Sequence, residues 1–136
     1  VDPVSTMLDT EIEGLKLIPS NIDLVGAEIE ILQLPNREYL MKNAISKLRN
    51  NFDYVLIDCS PNAKSFMVKN ALAASTEIFI PTTPDILSLR GALFMQEVVR
   101  NEILRINPST GITGVIVSNF IPSRILFNGM LKQIKK

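Results

Sequence analysis

Four segments of the chain carry apolar runs typical of β-strands: residues 15–19, 54–58, 77–81 and 114–119. In the last three, consecutive apolar residues replace the alternation of apolar and polar positions that a strand with one wet face shows. This pattern predicts strands that are buried on both faces. Such strands are typical of a parallel sheet that lies between helices.

The stretches between these strands have helical periodicity. Helices are predicted over residues 37–50, with Asn36 as the N-cap, over residues 63–75, from a cap at Thr83 to residue 106, and from Ser123 into the tail. Alternating strands and helices predict an α/β fold with a mostly parallel sheet flanked by helices. The acidic residues 1–14 are predicted to form an N-terminal arm, and residues 15–136 a single partial domain.

Composition narrows the classes of function. The chain has 136 residues, and its 46% hydrophobic content excludes a disordered protein. Its 14 basic and 14 acidic residues cancel, which excludes a polycationic DNA-binding arm. With no histidine and one cysteine, zinc, haem and Ser-His-Asp chemistry are excluded. No apolar run is long enough to span a bilayer, and the acidic start does not resemble a signal peptide, so a cytoplasmic protein is predicted.

The strongest candidate site lies in the segment FDYVLIDCSP, residues 52–61. An apolar strand that ends on a carboxylate is the arrangement of a Walker B element, in which the aspartate holds Mg²⁺ through water beside a nucleoside triphosphate. Asp58 is therefore a candidate magnesium ligand. The alternative is that Asp58 only begins a turn or caps the next helix, because aspartate is common at strand ends.

Two further features limit the chemistry of this chain. Cys59 follows Asp58, but a reactive thiolate needs a cationic partner, so we expect a small buried residue at this position. The six glycines are scattered, and none belongs to a GxxxxGK[ST] or GxGxxG motif. The chain is therefore predicted to lack a phosphate-binding loop of its own.

Five blocks in register resemble one family. They are LKLIPSNIDL with AEIE (15–24 and 27–30), FDYVLIDCSP (52–61), NALAA (70–74), the stretch from IP to LRG (80–91), and NP with ITGVIV (107–108 and 112–117). Together they resemble the ParA/Soj chromosome and plasmid partition ATPases, which are related to MinD. The resemblance covers nearly all of residues 15–124.

This resemblance implies a P-loop NTPase fold of the deviant Walker A type. It implies an ATPase that uses ATP and Mg²⁺, forms a homodimer around ATP, binds DNA nonspecifically at the nucleoid and is stimulated by a ParB-type partner. Asp58 would then be the Walker B ligand to Mg²⁺ through water. The other positions carried over are Cys59, Ser60 and Pro61 in the γ-phosphate-sensing switch, Asn119 beside the adenine, and Thr82, Thr83 and Pro84 at the dimer or nucleotide edge.

The chain lacks the KGGxGKT loop that is typical of the family. The resemblance places that loop before the first residue of this sequence. Ser60 also replaces the usual first proline after Asp58 and Cys59. In this fold the phosphate-loop strand lies beside the Walker B strand, so its loss would leave a sheet edge unpaired and apolar surface bare. The fold is therefore predicted to be incomplete, and the chain alone to be inactive.

Several alternatives remain. Arg90, Arg100, Arg105 and Arg124 are candidate DNA-phosphate contacts if they share a face, or ordinary solvated helix surface if they do not. A non-catalytic fragment or truncated paralogue would act as an interaction module. A phospho-receiver domain would need an acidic pair after its first strand, and a Rossmann or flavodoxin-like domain a phosphate turn, and the sequence offers neither.

Overall fold

The computed structural model of the chain describes residues 2–21, 23–48 and 50–119. The strands are β1 (Leu8–Asp9), β2 (Lys16–Leu17), β3 (Glu77–Thr82) and β4 (Gly111–Val117). The helices are α1 (Leu24–Ile31), α2 (Leu40–Ser46), α3 (Phe66–Ala74), α4 (Ile86–Val98) and α5 (Leu104–Ile106), with 3-10 turns at Pro3–Thr6 and Arg37–Tyr39. A π-helical stretch, Val99–Ile103, joins α4 to α5.

The central unit is a parallel pair of strands, β3 and β4, joined through α4, the π-helical stretch and α5. The amide of Ser118 donates to the carbonyl of Thr82 at 2.9 Å, which shows that the backbone groups of Thr82 face β4. Because successive residues of a parallel strand face opposite neighbours, the backbone of Pro81 faces the other edge of β3. A proline fits there because it has no N–H to donate to β4.

Helices cover one face of this sheet. Ile78 and Ile80 of β3 are buried against side chains of α3, α4 and the π-helical stretch. The buried members contributed by the helices are Val68, Leu72, Ala92, Val98, Val99 and Ile103. This packing confirms the α/β class and the long helix that the sequence predicts after the third strand.

The second face of the sheet is bare within the described part of the chain. Phe79 on β3 is 51% exposed, and Ile116 on β4 is 54% exposed. The prediction of strands buried on both faces is therefore wrong for this pair as it stands. No described element packs over these side chains. Apolar side chains that the sequence pattern predicts to be buried are therefore in contact with solvent.

The predicted strand over residues 54–58 does not form. No regular structure is present between Asn51 and Asn62, and Tyr54 and Leu56 are 85% and 93% exposed. The physical reason is that a strand exists only in a ladder, and β4 is the one strand paired with β3 among the described residues. The expected bare apolar surface is therefore present, but the unpaired edge expected on the strand over residues 54–58 is not, because that strand itself is absent.

The helix starts differ from prediction in two places. Asn36 adopts a left-handed conformation, with φ of 52°, and makes no side-chain cap, so residues 37–50 form a 3-10 turn followed by the shorter α2. The cap of the long helix is Asp85 and not Thr83, because the Asp85 carboxylate accepts from the amide of Ser88 at 2.9 Å. The helix predicted from Ser123 lies outside the described residues.

An antiparallel hairpin forms from the N-terminal residues. Strand β1 pairs with β2, and an ion pair joins Lys16 to Asp9 across the pair. The predicted strand over 15–19 is thus only two residues long. The division of the chain at residue 14 stays a prediction. Within the described ranges, no helix is long and apolar enough to cross a membrane.

Candidate functional site

Asp58 lies on an exposed segment without regular structure. Among the described residues, its carboxylate takes part in no hydrogen bond and no ion pair. A carboxylate in this state is open to a hard cation and to the water around it. The structure therefore leaves Asp58 accessible, as a magnesium ligand must be.

Cys59, next to Asp58, was predicted to be a small buried residue, and this prediction is wrong. Its thiol is exposed, because residues 54–58 do not join the sheet that would have buried their neighbour. Partial desolvation, with a smaller contribution from the charge of Asp58, raises the pKa of the Cys59 thiol above its ordinary value. A raised pKa disfavours the thiolate, which agrees with the expectation that Cys59 is not a nucleophile.

Within the part of the chain that the structure describes, no three acidic or cysteine side chains form a cluster able to hold a metal ion. Magnesium in nucleotide sites is held by one or two protein carboxylates or hydroxyls together with water and phosphate oxygens. The donor chemistry of Asp58 fits that pattern as one ligand. The remaining ligands would have to come from nucleotide, water and other protein groups.

The carboxyl ends of β3 and β4 come together, as expected for a parallel pair. The amide and hydroxyl of Ser118 both donate to the Thr82 carbonyl, at 2.9 and 3.3 Å. Asn119 follows in a left-handed conformation with φ of 53°, which asparagine tolerates better than most residues. This edge thus brings together two of the predicted positions, Thr82 and Asn119.

The residues after β3 form a capping network for α4. The Thr83 hydroxyl bonds both the Asp85 carboxylate and the Ser88 hydroxyl, and Thr82 is buried with its hydroxyl directed to the Thr83 carbonyl. Pro84 separates the two cap residues in sequence. These side chains are thus engaged in the helix start, and sequence reasoning missed Asp85 because Thr83 offered an equivalent cap.

Asp85 gives this network a pH dependence. Hydrogen bonds from Ser88 and Thr83 lower the pKa of its carboxyl from 3.8 to about 2. A carboxyl with a lowered pKa stabilises the fold above its unfolded-state pKa, and this stabilisation is lost as pH falls from 3.8 through about 2.

We expect the Asp85→Asn variant to have a lower urea midpoint than the parent at pH 6, because it lacks the charged cap. As the pH is lowered to 2, the midpoint of the variant should fall by less than that of the parent.

The matched control for this measurement is Asp53→Asn, since Asp53 is exposed and makes no hydrogen bond to a described residue. Urea midpoints from circular dichroism, measured at several pH values from 6 to 2, give the comparison. Parallel curves for the parent and Asp85→Asn would show that the cap does not contribute to stability.

The arginines proposed for DNA contact lie on one continuous helical run. Arg90 is on α4, Arg100 in the π-helical stretch and Arg105 on α5, and all three are exposed. None of the three forms an ion pair with a described residue. Arg124 lies outside the described residues. No measured geometry places the three on a common face.

One side chain that sequence reasoning missed joins two distant segments. Glu28, on α1, accepts hydrogen bonds from the hydroxyl of Ser65 at 3.1 Å and from the amides of Phe66 and Met67. These partners are 37–39 residues away in sequence. The only signal in the sequence is a pair of acids, Glu28 and Glu30, in an otherwise apolar stretch, which does not identify a partner.

Comparisons with known proteins assign the chain to a family. Residues 2–112 match the profile of a family described as an AAA domain. The chain is 31% identical to the sporulation initiation inhibitor protein Soj of Bacillus subtilis, covering 99% of this chain and 53% of Soj. It is also 31% identical to the chromosome partitioning protein ParA of Caulobacter vibrioides, covering 97% of this chain and 50% of ParA.

A solved structure has the same fold. Cobyrinic acid a,c-diamide synthase from Mycobacterium smegmatis, with bound ATP analogue and magnesium, superposes with a TM-score of 0.81 at 30% identity, covering 99% of this chain and 55% of that one. The chain thus spans about half the length of the curated relatives and of the solved structure that it matches.

Proposed function

The chain belongs to the AAA-domain family and is similar to the Soj and ParA partition proteins, and on that premise we propose that it is the Walker B half of a ParA-type ATPase. The observation that carries the proposal is the segment FDYVLIDCSP, in which the apolar run ends on the accessible carboxylate of Asp58, and this carboxylate has no partner among the described residues. The complete protein would bind ATP with Mg²⁺. Its reaction would be hydrolysis of the γ-phosphate.

Asp58 holds Mg²⁺ through a water molecule in this proposal. Bound Mg²⁺ neutralises charge on the β- and γ-phosphate oxygens. The contribution of the chain is to present one hard oxygen donor at the end of an apolar segment that carries no competing cation. An exposed carboxylate with no partner among the described residues supports this role.

The residues around Asp58 divide the remaining work. Cys59, Ser60 and Pro61 form the segment that responds to the γ-phosphate, and Asn119 offers an amide donor and acceptor to the adenine. Thr82, Thr83 and Pro84 lie at the nucleotide or dimer edge. The hydroxyls of Thr82 and Thr83 already make hydrogen bonds at the start of α4, so we propose that these residues shape the edge and do not contact the nucleotide through their hydroxyls.

The cellular role follows from the relatives and is part of the same proposal. ATP-dependent homodimerisation, nonspecific DNA binding at the nucleoid and stimulation by a ParB-type partner would segregate a chromosome or plasmid. Arg90, Arg100 and Arg105 are exposed and form no ion pair with a described acidic residue, which supports a role in contacts with DNA phosphates. Such contacts would weaken steeply with salt.

We expect the purified 136-residue chain to release no phosphate from ATP above background. Positioning and charge neutralisation by a phosphate loop supply most of the catalysis of phosphoryl transfer, and the sequence holds no such loop. A malachite-green assay with Mg²⁺ and ATP measures this. Turnover by the chain that disappears in Asp58→Ala would contradict the expectation.

A second candidate function is a non-catalytic interaction module. The bare apolar surface of Tyr54, Leu56, Phe79 and Ile116 favours it, because such patches on soluble proteins mark contacts with other polypeptides. The intact mass of the protein expressed from the complete reading frame separates the two functions. A mass close to that of a full-length relative supports the ATPase function, and a mass of 15.1 kDa supports the interaction module.

A further inference from the structure

We propose that Glu28 positions the segment that carries Asp58, by fixing from α1 the point at which that segment enters α3. This inference rests on the proposed function for its relevance to ATP. Its geometry is independent of that function, because it follows from hydrogen bonds between two helices that are far apart in sequence.

Two side chains cap the N-terminus of α3, Ser65 from the preceding turn and Glu28 from α1. The first four amides of a helix have no partner inside it, and they attract negative charge. The Ser65 hydroxyl accepts from the amide of Val68 at 3.4 Å and caps one of them. The Glu28 carboxylate accepts from the amides of Phe66 and Met67, the latter at 3.3 Å, and from the Ser65 hydroxyl at 3.1 Å. Glu28 is therefore a second cap, supplied by another helix.

A hydrogen-bonded turn at Asn62 connects the start of α3 to the segment that carries Asp58. The amide of Ser65 donates to the Asn62 carbonyl at 3.0 Å, and the amide of Lys64 donates to the Asn62 side chain at 3.1 Å. Ala63 is buried in the core cluster. The chain is thus fixed without a break from Asn62 to the start of α3, and Asp58 lies four residues before that fixed turn.

The described residues before Asp58 do not fix its position. Residues 54–58 pair with no strand in the described part of the chain, and Tyr54 and Leu56 are largely exposed. The described contacts that orient the segment are therefore those after it. Removing the Glu28 carboxylate would release two amides and the cap hydroxyl at once, and the turn at Asn62 would loosen with them.

The test uses the chain itself and two local readouts. Hydrogen–deuterium exchange, followed by mass spectrometry, reports opening of residues 64–67, whose amides make the hydrogen bonds described above. The rate at which N-ethylmaleimide modifies Cys59 at a single pH reports the preceding segment that carries Asp58, and the reaction is specific because Cys59 is the sole cysteine of the sequence. Variants are Glu28→Ala, Glu28→Gln and the control Glu30→Ala, since Glu30 is exposed on the same helix and bonds no described side chain.

We expect exchange in residues 64–67 to rise by about tenfold in Glu28→Ala, with a faster reaction of Cys59. Exchange in β3 and β4 should stay at the parent level. Glu28→Gln keeps an acceptor oxygen and should recover part of the protection, and Glu30→Ala should match the parent. This localised loss with partial rescue is what a positioning residue produces and a uniformly stabilising residue does not.

The opposite result is equally clear. If Glu28→Ala lowers the melting temperature while exchange in residues 64–67 and the Cys59 rate match the parent, Glu28 only stabilises the fold and the proposal is wrong. If Glu28→Ala does not fold, the same comparison in Glu28→Gln decides. Failure of the ATPase proposal shows itself elsewhere, in unchanged phosphate release by an Asp58 variant of the complete protein.

Discussion

Asparagine at position 58 is expected to lower ATP turnover by about a hundredfold or more in the protein expressed from its complete reading frame. Asn keeps the shape of the side chain and one acceptor oxygen, but it removes the charge that attracts Mg²⁺. Because Asp58 makes no hydrogen bond or ion pair with a described residue, its replacement should leave stability close to that of the parent. Phosphate release at saturating ATP, measured over a titration of Mg²⁺, checks the effect.

The control for Asp58→Asn is Asp53→Asn, which removes an exposed carboxylate from the same irregular segment. The control should retain parent turnover and parent dependence on Mg²⁺. Equal turnover in Asp58→Asn and the parent would show that Asp58 only begins a turn, which is the alternative that the sequence left open. A matching melting temperature for the three proteins excludes misfolding as the cause.

The largest effect on stability is expected at Asn107, where the helical run that begins with α4 ends. Its side-chain amide donates to the carbonyls of Ala73 and Ser75, at 2.9 and 3.1 Å, and its oxygen accepts from the amide and hydroxyl of Ser109. The residue is buried, so Asn107→Ala leaves polar groups without partners and without water. We expect a loss of about 3 kcal/mol in the free energy of unfolding.

Urea unfolding followed by circular dichroism measures this loss, and Asn101→Ala is its control. Asn101 is exposed in the π-helical stretch, so its replacement should change the free energy of unfolding by no more than about 0.5 kcal/mol. Similar midpoints for both variants would mean that water replaces the Asn107 side chain at no cost. An altered slope in Asn107→Ala alone would mean that the folded state itself has opened.

The parts of the fold that follow from local sequence are those with their partners close by. Strands β3 and β4 and helices α3 and α4 are predicted because apolar runs and helical stripes identify them and because each packs on the others. Helix α1 was missed, because Gly26 and the three β-branched residues of Leu24–Ile31 weaken its helical signal. Residues 54–58 have the composition of a strand, but composition does not supply a neighbour to pair with.

The candidate site divides in the same way. Asp58 is found from sequence because a carboxylate after an apolar run is a local pattern, and its neighbours follow from the family resemblance. The contribution of Glu28 could not be predicted, since its three donors are 37–39 residues away and only the fold brings them within reach. The exposure of Cys59 was also beyond local reasoning, because it depends on whether the preceding segment joins a sheet.

Pro81 limits how a strand of another polypeptide can pair with the open edge of β3. It faces the open edge of β3 and has no N–H, so an arriving strand finds the amide of Phe79 and then a missing donor two residues later. A generic strand, such as one from an aggregating chain, therefore cannot extend the ladder along the full length of that edge. A strand that is shaped for it can, provided that its own carbonyl opposite Pro81 finds another donor. The proline thus selects one alignment and discourages indiscriminate stacking.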